Sequence, residues 1–253
     1  MSMSSQAKHT GPARPVVNWT IALCWLGLVA AGWAGMFSVA ASFLSISVLL
    51  LLAALLWRYP PPGPSFGWAN SVTLIRALLM IALGVWLFDW PGSSMMLWLS
   101  TALAVCILAL DGVDGWVARR FDECSDWGAR FDMEVDAAFI MMLCLLLWWH
   151  QLAPAWVMLI GLMRYGFVAG ALVFDWLAHP LPDRFRRKLV CVLQLAALIF
   201  ALSPLGLAAD GWREGALAIA LFCLVLSFAA DIRWLHARRE RSTSLSPDSR
   251  RPA

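Results

Sequence analysis

The sequence predicts an all-α polytopic membrane protein, a helical bundle of six transmembrane helices preceded by two extra ones, about eight spans in all. Three observations carry this. The 253-residue chain is 61% hydrophobic and 14% charged, whereas a soluble domain is about a quarter charged and under half apolar. Apolar runs of roughly twenty residues recur, the length a helix needs to cross the hydrocarbon core. Strand-period alternation is missing, which argues against an outer-membrane barrel.

The spans fall at about 17–37, 39–57, 70–88, 95–118, 127–149, 153–175, 185–203 and 212–235. The first two form one long apolar run, 16–57, with a Gly-Ser-rich middle. Behind Lys8 and Arg14 that run is too long for a signal peptide, and a second span follows at once. "RYPPPGPSFGW" (58–68) then separates this pair from the other six. The organisation expected is a cytoplasmic segment 1–16, an extra helix pair 17–57, a Pro/Gly linker 58–67, a catalytic six-helix domain 68–235 and a basic tail 236–253. The tail, "HARRERSTSLSPDSRRPA", is predicted disordered. It is either a solvated topogenic end or a contact for anionic headgroups.

Loop charges set the orientation. Lys8, Arg14, Arg58, Arg119, Arg120, the run Arg184, Arg186, Arg187, Lys188, and Arg238, Arg239, Arg241 all fall on one side, while the alternate loops are short and poor in Lys/Arg. Excess Lys/Arg marks the cytoplasmic side, so both termini are expected inside, in a multi-pass protein of the cell's inner membrane. The six cysteines are scattered singly, with no metal-binding spacing, and read as small apolar filler. No nucleic-acid partner is expected.

Against this greasy background, residues 110–137, "LDGVDGWVARRFDECSDWGARFDMEVDA", hold six Asp and two Glu. On a helix, Asp111, Asp114 and Ala118 share one face, and Gly115 leaves space beside them. On the next helix Gly128, Asp132 and Asp136 recur every fourth residue, with Asp136 roughly 13 Å below the helix start. Two antiparallel helices would thus present two carboxylates each to one volume. Such a cluster cannot stay ionised unaided, because desolvation and mutual repulsion disfavour the charged forms. Hard divalent cations, Mg²⁺ or Mn²⁺, solve the problem, and a pair of them suits phosphoryl transfer. Arg119 and Arg120 stand beside the site, able to take phosphate oxygens. Asp122, Glu123 and Asp126 read as interfacial charges in the turn, and Glu134 points away from Asp132 and Asp136. Asp111, Asp132 and Asp136 project from apolar helices, where ionisable groups are functional by default.

The pattern Asp111-x₂-Asp114-Gly115-x₂-Ala118-Arg119-x₈-Gly128-x₃-Asp132-x₃-Asp136 resembles the full signature of the CDP-alcohol phosphotransferases, with every position filled. The resemblance covers about residues 66–235; residues 1–57 fall outside it. It implies transfer of a phosphatidyl group from CDP-diacylglycerol to an alcohol, with release of CMP, in phospholipid synthesis. It also implies that Asp111, Asp114, Asp132 and Asp136 hold two metal ions and that Asp136 is the general base. Gly115, Ala118, Arg119 and Gly128 would cradle the cytidine diphosphate, and a homodimer is the family expectation.

Flanking residues extend the likeness. "NSVTLIR" brings Asn70, Thr73 and Arg76 to one helix face, as in the family's Asn-x₂-Thr-x₂-Arg, with Asn70 and Thr73 assigned to the nucleotide and Arg76 to phosphate; an Asn/Thr helix start with a snorkelling Arg is the plainer alternative. Arg164, alone inside an apolar span, is expected to contact acceptor or phosphate. "PDRFRRKLVCVLQ" resembles a stretch of the phosphatidylglycerophosphate and cardiolipin synthases. Lys188 and Gln194 match it, but Cys191 stands where those enzymes have Thr. For Arg184, Arg186 and Arg187, topogenesis and phosphate binding stand about even, and Arg187 with Lys188 is assigned to the acceptor.

The expected acceptor is glycerol 3-phosphate first and phosphatidylglycerol second, reached from the cytoplasmic face. A divalent-cation transporter or channel using the acidic cluster is the rival. Permeation would need polar residues beyond the cluster, yet "TALAVCILAL" and "AAFIMMLCLLLWW" are apolar throughout. A catalytically dead scaffold is disfavoured because no signature residue is missing.

Overall fold

Gly67, at φ +81° and ψ 154°, adopts a conformation that suits glycine and turns the chain into α1, Trp68–Phe88. The computed structural model describes residues 38, 40–41, 46–49, 52, 56, 66–89, 93–177, 179 and 185–244. The expected span 17–37, most of the linker, Arg184 and residues 245–253 lie outside them. Among the described residues every regular element is helical. After α1 come α2 (Ser94–Arg120), α3 (Asp126–Trp149), a 3₁₀ turn (Ala155–Val157) leading into α4 (Met158–Val173), and a second 3₁₀ turn (Asp175–Leu177). Then follow α5 (Phe185–Leu202), the short α6 (Pro204–Ala208) and α7 (Asp210–Ser244).

Local chemistry accounts for the departures from expectation. The sixth expected span, 153–175, is shortened: Pro154 is extended at φ −61° and ψ 158°, and a 3₁₀ turn precedes α4. Buried Ser203 caps α6 by accepting from the Gly206 N–H at 3.1 Å, with Pro204 in the first turn. α7 does not stop at 235 but continues to Ser244. The helix thus runs beyond the expected span, where "HARRER" supplies good helix formers in place of a stop signal.

Among the described residues, four stretches are long and apolar enough to cross a membrane: Trp68–Phe88, Ser94–Arg120, Ala155–Val173 and Gly211–Arg238. α3 is not among them because its first half carries Asp126, Arg130, Asp132, Glu134 and Asp136; α5 opens on Arg186, Arg187 and Lys188. Large apolar side chains such as Trp98, Leu99, Val105, Leu172, Ile219 and Phe222 are exposed, a pattern that suits hydrocarbon better than water.

The chain divides into two compact units, Met1–Phe139 and Ile140–Ala253, with α3 running through the division. In the first, α1 packs along α2. Ala41, Leu49 and Leu56, from the extra N-terminal segment, pack with Leu74, Leu78, Ile81 and Val85 of α1. The Ser38 N–H donates to Asp89 Oδ2 at 2.5 Å, tying Ser38 to the C-cap of α1. In the second unit α4 and α5 each pack on α7, and Phe167 meets Phe228 edge-on at 5.4 Å.

Candidate active site

The site is assembled by the turn between α2 and α3. α2 ends with Asp122 in the left-handed region at φ 55°, and the Glu123 N–H donates back to the Ala118 carbonyl at 2.9 Å. This is the six-to-one closure of a helix C-terminus, with Asp where Gly is commonest. It aims Glu123 at the first turn of α1, where its Oε2 accepts from the Ala69 N–H at 3.0 Å. Gly67 has no side chain to cap α1, so a residue from another element supplies the missing acceptor. A Cβ on Gly67 would stand 3.0 Å from that carboxylate oxygen. Ser125 then starts α3, its Oγ accepting from the Gly128 N–H at 3.0 Å.

With both ends of the turn pinned, α1 lies against the acidic faces of α2 and α3, and Arg76 enters the cluster. Its guanidinium is 1% exposed. Nη1 donates to Asp114 Oδ2 and to Asp132 Oδ1, each at 2.6 Å. Nη2 donates to Asp136 Oδ1 at 2.5 Å and pairs with Asp111 Oδ1 at 3.1 Å. Thr73, one turn earlier, donates from Oγ1 to Asp114 Oδ2 at 3.0 Å and is likewise buried. The convergence expected from spacing is realised around a cation from a third helix. Asp114 is the buried floor, with a side chain 5% exposed, while those of Asp111 and Asp132 are 28% and 37% exposed. The cluster is therefore reachable from one side.

The donor set fits a hard divalent cation. Asp111, Asp114 and Asp132 each offer an oxygen within 4.8 Å of the others, a separation that one ion with ligands at about 2.0–2.6 Å can bridge. Four carboxylates against one guanidinium leave a net formal charge of −3. In a desolvated setting that excess calls for more positive charge.

The other expected residues sort into three places. Asn70 donates to the Phe66 carbonyl at 2.6 Å, and a Cβ on Gly128 would stand 2.7 Å from Asn70 Oδ1. These two residues, both expected at the nucleotide, thus face each other where α1 meets α3. Arg119 is exposed and folds back along α2, its Nη1 3.4 Å from where a Cβ on Gly115 would be; Ala118 is half-buried. Arg164, Arg187 and Lys188 belong to the second unit. There Arg164 is half-buried on α4 and Lys188 exposed on α5. Arg187 Nε lies 3.5 Å from Asp231 Oδ2 on α7. Arg186 donates to Asp231 Oδ1 at 2.5 Å and to the Ser227 carbonyl at 3.0 Å. Sequence reasoning missed both Glu123 and Asp231. A carboxylate inside the apolar run "LFCLVLSFAADIRW" was the signal available for Asp231.

A family model described as CDP-alcohol phosphatidyltransferase matches residues 66–229, which takes in α1, the whole acidic signature and most of α7. The chain belongs to the CDP-alcohol phosphatidyltransferase family. Among curated proteins, the chain is similar to a cardiolipin synthase (CMP-forming) of Streptomyces coelicolor, at 27% identity over 125 residues. The alignment takes in 44% of this chain and 58% of that protein, so the chain spans little more than half its relative's length. The described residues before 66 lie outside the family match.

Proposed function

We propose that this CDP-alcohol phosphatidyltransferase moves a phosphatidyl group from CDP-diacylglycerol to an alcohol acceptor and releases CMP. The observation that carries the reading is the meeting of Asp111, Asp114, Asp132 and Asp136 within the matched domain. Two divalent ions, Mg²⁺ or Mn²⁺, held by those four residues would supply the charge that neutralises the pyrophosphate and the departing phosphate. Asp136 takes the proton from the acceptor hydroxyl. The hydroxyl oxygen forms a bond to the phosphorus carrying diacylglycerol, and the phosphoanhydride bond breaks with CMP as leaving group. Arg119, lying over Gly115 at the open end of α2, holds nucleotide phosphate; Gly115 and Ala118 leave room for it. Asn70 and Gly128 shape the nucleotide side, and Thr73 holds Asp114 in place.

Arg164, Arg187 and Lys188 favour an acceptor that carries phosphate, with Arg76 adding charge at the cluster, so glycerol 3-phosphate comes first. The relative's name, a cardiolipin synthase that forms CMP, favours phosphatidylglycerol as the second. The setting we infer is the inner membrane of the cell, crossed about eight times with both termini cytoplasmic. The site opens to the cytoplasm, and the enzyme is a homodimer. Purified protein with CDP-diacylglycerol, Mg²⁺ and a panel of alcohols is expected to release CMP with one acceptor class. Asp136→Asn is expected to lower that release at least about a thousandfold. Absence of CMP across the panel, or Mn²⁺ uptake into proteoliposomes lacking lipid substrate, would overturn the assignment.

A further inference from the structure

We propose that Arg76 is the counter-cation of the aspartate cluster, and that it opposes divalent-ion binding by holding the same carboxylates. The inference deepens the function proposed above and takes the four aspartates as its ion site. Arg76 touches one oxygen of every signature aspartate, and its side chain is 1% exposed. A phosphate-binding arginine has no need to bridge four carboxylates from two other helices. The bridging does have a need behind it: without it the cluster carries four negative charges at close range in a poorly solvated place. Geometry excludes full sharing. Nη1 lies 2.6 Å from both Asp114 Oδ2 and Asp132 Oδ1, and a cation bridging the same oxygens would meet the guanidinium at short range, with strong repulsion in a medium of low dielectric.

Ion binding therefore displaces the guanidinium or lengthens its bonds. Two divalent ions match the four carboxylate charges, and Arg76 is then released to face incoming phosphate. The side chain has a polar atom to spare for that exchange: Arg76 Nε is buried and makes no hydrogen bond among the described residues. Thr73 remains on Asp114 Oδ2 through its hydroxyl, which bears no charge and does not repel an ion. Selectivity for the loaded state follows from the exchange, since one cation leaves the oxygens as another arrives.

The test measures Mn²⁺ binding in detergent by electron paramagnetic resonance and thermal unfolding in EDTA and in Mn²⁺, for the whole chain and for Arg76→Met and Arg76→Lys. Arg76→Met is expected to bind Mn²⁺ on the order of tenfold more tightly, to melt lower than wild type in EDTA, and to gain more from Mn²⁺. Arg76→Lys, which keeps the charge but reaches fewer oxygens, falls between. A residue with only a structural role would weaken Mn²⁺ binding when replaced. Unchanged or weakened Mn²⁺ affinity in the folded variants overturns the proposal, and if Arg76→Met folds in neither condition, Arg76→Lys decides on the same criterion. Wild-type CMP release is scored separately. Release without the affinity change sinks the counter-cation alone, and the affinity change without release sinks the phosphatidyltransfer reading alone.

Discussion

Gly128 illustrates how much one hydrogen atom decides. A methyl group there would stand 2.7 Å from Asn70 Oδ1 and 3.0 Å from Ser125 Oγ, closer than carbon and oxygen pack. Gly128→Ala is expected to cost about 1–3 kcal/mol, as overpacked helix contacts do, read as a lower unfolding midpoint in detergent. Adding Asn70→Ala removes the obstructing amide and should restore part of the loss. Additive losses in the double variant would mean the two residues act separately. The spacing identified both positions, one in the signature and one in "NSVTLIR", but periodicity relates residues along a single helix. That they meet across α1 and α3 lies beyond it. Arg76 has the same history: its place on the face with Asn70 and Thr73 was legible, while the four carboxylates it meets come from other helices.

At the scale of elements, the turn from Phe121 to Ser125 does more than reverse the chain. Its Glu123 completes the first turn of α1, so the helix carrying Asn70, Thr73 and Arg76 is positioned by the loop of the signature itself. Glu123→Ala is expected to destabilise the protein by about 0.5–2 kcal/mol, the usual cost of a lost N-cap, and to reduce CMP release beyond what stability explains. Glu123→Asp, with a shorter reach, should recover little; full activity in Glu123→Ala would remove the turn from the site. The helices themselves were legible because long apolar runs announce themselves in composition: α1, α2 and α3 begin and end within two residues of expectation. The turn was not. Asp122, Glu123 and Asp126 look alike as solvated charges, and only the left-handed backbone at Asp122 aims one of them at an open N–H. α7 runs past the expected end of its span for a related reason. Charge marks where a helix leaves the membrane, not where it stops being a helix.

For the molecule as a whole, the proposed topology puts the α2–α3 connection in the cytoplasm. Cys124 is exposed in that turn, which makes it a natural reporter. With Cys124 as the sole cysteine, a membrane-impermeant maleimide should label inverted vesicles and leave intact cells unlabelled. A sole cysteine made by Gln151→Cys, beyond the far end of α3, should give the opposite pattern. Labelling of both from one side would refute the two-termini-inside topology. What the sequence could not supply at this scale is the division at Phe139 and the pairing of Arg186 and Arg187 with Asp231, since both depend on contacts between helices far apart in the chain.

The position of Arg76 also bears on how the protein is made. Its partners all lie downstream, Asp114 by 38 residues, Asp132 by 56 and Asp136 by 60. A chain emerging from the ribosome N-terminus first delivers α1 to the bilayer with an arginine near its middle and nothing to neutralise it, a burden of about 2.5–3.5 kcal/mol during insertion. Only when the signature helices follow is that debt settled. Stable integration of α1 is thereby coupled to the later arrival of α2 and α3, which bring the four carboxylate partners of Arg76.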